Sequence, residues 1–164
     1  MPWSSDLLRS TALEQITAIR PETILDVGVG SGVWRDTYSL GVWTGVEIWE
    51  PYVDTFFLRE RYDKIIVGDA CIVDLGGPYD LAIMGDVLEH TNDPVSFLNR
   101  VRKVARKVLI QVPIGEYPQD EFEGNPYEAH LVTLELNDLL LWDGVIDSWT
   151  SANMALLLIL GCEN

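Results

Sequence analysis

The stretch Asp26-Val27-Gly28-Val29-Gly30-Ser31-Gly32 constrains this chain more than any other, because the apolar run Thr23–Val27 leads straight into its glycines. Glycines at alternate positions after a strand let the backbone turn sharply and approach a ligand closely. If a helix follows, its free amides face the same point and favour a carboxylate or phosphate. A purely structural turn uses glycines too, so context decides, and a strand before with a helix after is what the binding mechanism requires.

The rest of the chain repeats that context. Short apolar runs alternate with helical stretches, which predicts an α/β fold with a parallel sheet covered on both faces. A first helix has Ser4 or Ser5 as its cap, Leu7, Leu8, Leu13, Ile16 and Ile19 on one face, and Pro21 as its stop. Strands are expected at 23–27, 42–48, 64–67, 79–84 and 107–112, with helices over 31–40, 51–61 and 94–105. Pro51 suits a first helical position. Residues 113–130 read as a long polar loop, 133–142 as a helix, and 145–149 with 154–160 as an antiparallel hairpin. The expectation is a Rossmann-like doubly wound sheet of seven strands, mostly parallel, in one domain spanning 1–164. Ligands of such sheets sit beyond the carboxyl ends of the strands, at the switch point beside the first.

Bulk properties narrow the partners. Hydrophobic residues at 48% and charged residues at 23% are globular usage, which excludes disorder. The net charge of −15 repels phosphate backbones and anionic lipid headgroups, so nucleic acid and membranes are not expected partners. Arg100, Arg102, Lys103, Arg106 and Lys107 do cluster, but at a helix C-terminus, where cations complement the dipole. Cys71 and Cys162 fit no metal spacing and read as free thiols of a cytoplasmic protein. The first 20 residues lack the apolar core of a signal peptide.

Glu47 ends the second strand, 19 residues after Gly28. A carboxylate there can accept both hydroxyl hydrogens of a ribose. Glycine turn and acid together suit either a nicotinamide dinucleotide or S-adenosylmethionine (SAM). The dinucleotide fingerprint asks for a third glycine at position 33, which is Val33, whereas Gly32 completes an alternate pattern. Asp26, two residues before the first glycine, would help hold an ammonium or sulfonium group more than a pyrophosphate.

The segment ILDVGVGSG resembles motif I of class I SAM-dependent methyltransferases. Further likenesses follow in order, over about residues 22 to 135. TGVEIWEPY resembles the second-strand segment, with Glu47 as the ribose acid beside Ile48. VGDA resembles the third-strand segment, with Asp69 accepting from the adenine amino group beside Ala70. YDLAIMGDVLEHTNDP resembles the fourth-strand motif, in which Asp86 to His90, Val87 included, line the methionine end. VLIQVPIG resembles the fifth-strand motif, and the D-V-L-E-H segment is nearest to ubiquinone- and glycan-type enzymes. The resemblance implies a cofactor site at Asp26, Gly28, Gly30, Gly32, Glu47, Ile48, Asp69, Ala70, Asp86 and Val87. It also implies S-adenosylhomocysteine (SAH) as the product. The sequence departs from the family at the link 102–107, which lacks the usual glycine turn, and in having little to enclose a substrate.

Methyl transfer is an in-line displacement that depends mainly on alignment. A base is needed only where the acceptor must lose a proton. His90 and His130 are the candidates; each is a base or a group that shapes pocket and loop by hydrogen bonding. Glu89, His90, Asp93 and His130 match no metal signature, so no metal is expected. The expected activity is methyl transfer to a small-molecule or sugar-like acceptor. The alternative is a SAM-binding sensor or partner subunit without transfer, and a homodimer would complete an open pocket.

Overall fold

The computed structural model describes residues 2–162. Seven strands form one sheet: β1 (Thr23–Val27), β2 (Val42–Glu47), β3 (Lys64–Val67), β4 (Tyr79–Gly85), β5 (Ala105–Pro113), β6 (Val145–Ser151) and β7 (Met154–Leu160). Their order is β3-β2-β1-β4-β5-β7-β6. Pairs among β1 to β5 are parallel, whereas β7 runs antiparallel to both β5 and β6. β7 enters between β5 and β6 with Leu160 opposite Lys107 and Met154 opposite Pro113. Its residues are buried as far as Ile159, which is why it reads as an unbroken apolar run.

Helices α1 (Arg9–Ile19), α2 (Val33–Thr37), α3 (Glu50–Thr55), α4 (Leu58–Arg61), α5 (Pro94–Arg102) and α6 (Leu136–Leu139) cover the sheet. One apolar layer packs α5 and α6 on β5 and β7, around Phe97, Val101, Leu139, Ile110 and Leu157. The other packs α1 to α4 on the opposite face, around Ile16, Trp34, Trp43, Val53 and Leu58. No helix of the described residues is long and apolar enough to cross a membrane.

Several helices are shorter than periodicity suggests. The run 51–61 is two helices, because Phe57 turns left-handed with φ 52°. The break aims Arg61 at the glycine turn, where its guanidinium donates to Ser31 O (2.7 Å) and Gly32 O (3.0 Å), and it also donates to Phe56 O at the end of α3 (3.1 Å). The helix expected over 133–142 shrinks to Leu136–Leu139; Leu141, beyond it, is 83% exposed and lacks the burial that would extend the helix. The first helix begins at Arg9 with Leu8 at its N-cap, because Ser4 is drawn to Gly85 and Ser5 Oγ accepts only from Leu7 N (3.3 Å), one turn too early to cap it. The arginines of the basic cluster are engaged within the fold. Arg100 donates to the carbonyls of Ala70, Ile72 and Val73, Arg102 to Leu160 O and Asp143, and Arg106 to Asp80.

Candidate active site

Strand order reverses between β1 and β4, so the crossovers from these strands diverge and leave a crevice at their carboxyl ends. A cavity of about 360 Å³ opens there. Its wall is built from the first residues after each strand. The turn after β1 contributes Gly28 and Gly30, the end of β2 Glu47 and Ile48, the segment after β3 Asp69 and Ala70, and that after β4 Asp86, Val87 and His90.

The glycine turn is shaped by contact on both sides. Gly28 has φ 72°, and a Cβ on it would lie 2.7 Å from Cγ2 of Val87. The amides of Gly28 and Val29 both donate to Val46 O, at 2.9 and 3.2 Å. Gly30 N donates to Glu47 Oε2 and Trp49 N to Glu47 Oε1, each at 2.8 Å. Glu47 is thereby fixed with one lone pair left on each oxygen. Burial raises its pKa, opposed by the Trp49 and Gly30 amides.

Residues 2–5 close one side. Pro2 O accepts from Ser31 N (2.8 Å), Ser4 Oγ donates to Gly85 O (3.1 Å), and Ser5 N donates to Asp86 Oδ2 (2.6 Å). Burial pushes Asp86 up to about 6, against the opposing effect of the Ser5 amide and the Gln111 side chain. Its Oδ1 is buried without a hydrogen-bond partner. Asp69 holds the next turn by accepting from Cys71 N at 2.8 Å.

Three expected site residues lie outside the cavity wall. Asp26 is fully buried behind the turn, where Tyr62 OH donates to its Oδ2 at 2.6 Å. Gly32 precedes α2 and offers its carbonyl to Arg61. His130 stands behind His90, with ring centroids 4.8 Å apart. Asp93, considered above with the histidines, instead caps α5 through Ser96 N.

The loop 113–130 folds back over the cavity and brings residues that no spacing marks. Asn125 and Glu128 line it, and Tyr52 OH donates to Glu128 Oε1 at 3.0 Å. Tyr127 joins the rim beside Trp49, with ring centroids 6.1 Å apart. The loop's length and polarity were the only sequence signal for them. Among the described residues of the wall, Glu47, Asp69, Asp86 and Glu128 are acidic and none is Lys or Arg.

Such a wall suits a cationic ligand that carries hydroxyls, and the unpartnered Asp86 Oδ1 is an acceptor waiting for a donor. A dinucleotide's pyrophosphate would face four carboxylates and no cation there. Fold and wall together define an S-adenosyl-binding transferase. Residues 25–108 match the model of the methyltransferase domain family, and the chain belongs to that family. It is a SAM-dependent methyltransferase of class I.

Solved structures share the fold at low identity. Magnesium protoporphyrin IX methyltransferase from Synechocystis PCC 6803, with bound SAH, superposes with a TM-score of 0.69 at 16% identity. That match covers 94% of this chain and 82% of the other. 1,6-Didemethyltoxoflavin-N1-methyltransferase from Burkholderia thailandensis, with its substrate and SAH, gives 0.65 at 18% identity, over 96% and 80%. A SAM-dependent methyltransferase from Clostridium acetobutylicum ATCC 824 gives 0.72 at 10% identity, over 95% and 92%. No curated protein matches the chain.

Proposed function

We propose that this enzyme methylates a small-molecule or sugar-like acceptor, presented at the His90 side of the cavity. The observation that carries this reading is the wall with four carboxylates and no Lys or Arg, set at the switch point of the sheet. Bound SAM supplies an electrophilic methyl group on a sulfonium centre. In this reading Glu47 accepts from the ribose hydroxyls, with Ile48 beside it. Asp69 accepts from the adenine amino group, next to Ala70. Asp86, with Val87 against Gly28, receives the ammonium of the amino-acid end. Asp26 and Gly32 act one layer out, by holding the turn in shape.

His90 and His130 are assigned to the acceptor. Burial lowers both imidazole pKa values, so both rings are neutral near pH 7 and available as bases or ligands. Leu131, whose amide bonds Glu89 O, extends the wall on the same side and offers apolar surface to the acceptor. The carbonyl hydrogen bonds of Arg100 and Arg102 hold two of the clustered cations away from a polyanion, which favours a small acceptor. The exposed, unpaired Cys71 and Cys162 favour a reducing compartment such as the cytoplasm.

The test is SAH release from labelled SAM with a panel of phenols, sugars and nitrogen heterocycles, set against a basic peptide and an RNA. Turnover with a member of the small-molecule set supports the reading. Turnover confined to the peptide or the RNA would overturn it.

A further inference from the structure

At the cavity wall and just behind it, His90, Glu89 and His130 converge so that one ligand atom from each lies within 4.8 Å of the others. Glu89 Oε1 is 3.9 Å from Nε2 of His90 and 3.9 Å from Nε2 of His130. All three side chains are withdrawn from solvent, at 2%, 15% and 9% exposure.

Hydrogen bonding elsewhere fixes what these atoms are. His90 Nδ1 meets Ala129 O at 3.0 Å, and His130 Nδ1 meets Tyr117 O at 2.6 Å. A carbonyl oxygen only accepts, so both Nδ1 atoms carry the proton and both neutral rings present a bare Nε2. Two nitrogen lone pairs and a carboxyl oxygen therefore face one another with no N–H among them. A distance of 3.9 Å exceeds hydrogen-bond reach, so a proton on Glu89 would not join it to either ring. The second oxygen, Glu89 Oε2, is buried with no partner. An acceptor-only cluster out of water is costly unless a cation sits in it.

We infer that Glu89, His90 and His130 form a binding site for a divalent first-row transition-metal ion. Two imidazoles and one carboxylate on one side of an ion, with open positions left over, are donors of that class rather than of Mg²⁺ or Ca²⁺. Bonds of about 2.0–2.2 Å place ligand atoms roughly 3–4 Å apart, so side-chain adjustment closes the set. The carbonyls of Ala129 and Tyr117 are the outer partners that orient the rings. The backbone builds the site on purpose of geometry rather than spacing. Glu89 O accepts from Leu131 N (2.8 Å) and Val132 N (3.3 Å), which pins the loop so that His130 lies over Glu89.

His90 lines the cavity, so an open coordination position on that side would take an oxygen of the acceptor. That role rests on the proposed acceptor side of the pocket; ion binding rests on the cluster alone. The site narrows the acceptor to one bearing a hydroxyl or carboxylate within reach.

Co²⁺ titrated into the full chain, followed by visible absorption, with Mn²⁺ and Zn²⁺ followed by calorimetry, tests the inference. The expected result is one saturable site with ligand-field bands. His130→Gln and Glu89→Gln should each weaken it at least about 10-fold, and SAH binding by both variants shows that they are folded. SAH binding without ion binding in the parent chain, or ion binding unmoved by both substitutions, would overturn the metal site. Ion binding that depends on both residues, in an enzyme silent on every small acceptor, would uphold the site while removing the proposed acceptor class.

Discussion

Tyr62 OH donates to Asp26 Oδ2 at 2.6 Å, a buried pair on the far side of the glycine turn from the cavity. Burial pushes Asp26 up to about 7 from 3.8, with the Tyr62 hydrogen bond opposing that rise. A raised carboxyl pKa means that the folded state holds its proton more tightly than the unfolded state. Its contribution is full below about pH 4 and is lost as pH rises towards 7. Asp26→Asn, which cannot ionise, should therefore shrink the stability lost between pH 5 and 8 by about 2–3 kcal/mol. Denaturant unfolding at the two pH values measures this, and an unchanged pH slope contradicts it. Tyr62→Phe removes the donor and should cost about 1–3 kcal/mol, more at pH 8 than at pH 5.

Glu47 receives backbone hydrogen bonds on both oxygens, so its position does not depend on ligand. Glu47→Gln replaces one acceptor by a donor facing the Gly30 or Trp49 amide. Loss of charged hydrogen bonds to ribose, about 1.5–3 kcal/mol, should weaken SAH roughly 10- to 100-fold in calorimetry. Asp69→Ala should also weaken it, whereas a variant that binds SAH as the parent does would remove that residue from the cofactor site.

Gly28→Ala meets two obstacles at once. Its φ of 72° disfavours a side chain by about 1–2 kcal/mol, and the new methyl would lie 2.7 Å from Val87 Cγ2. Stability and SAH affinity should both fall. Val87→Ala added to Gly28→Ala should restore part of the loss, since it relieves the contact and leaves the backbone strain. No recovery in thermal melting would show that the contact is unimportant.

Residues 2–5 bind the glycine turn, Gly85 and Asp86 through three hydrogen bonds. A chain starting at Asp6 should fold, because α1 begins at Arg9 and packs through Ala12 and Ile16. It should release SAH faster in stopped-flow displacement while associating at a similar rate, as loss of one wall predicts. An unchanged release rate would mean that this segment does not retain the ligand.

Much of the molecule was legible in the chain because its signals are local. The seven strands, the parallel run and the terminal hairpin follow from apolar runs and turn residues, and each corresponds to an observed strand. The glycine turn, Glu47, Asp69 and Asp86 fall at strand ends, and in a parallel sheet strand ends converge on one crevice. Sequence order alone was enough to put them together.

What required the tertiary structure depends on contacts between distant segments. Periodicity cannot show that Phe57 breaks a helix, because the break is stabilised by Arg61 reaching the carbonyls of Ser31 and Gly32. Asp26 reads as a site residue by its neighbours, yet β1 turns its side chain to the core, where Tyr62 meets it. His90 and His130 are 40 positions apart and share no spacing rule. The fold of the loop, pinned on Glu89 O and on the two imidazoles, brings their Nε2 atoms to one carboxylate. The sequence thus determined the sheet and the cofactor class, since these rest on short-range backbone chemistry. The part of the cavity wall under residues 113–130 was decided by how one long loop packs, and loop packing depends on the whole surface beneath it.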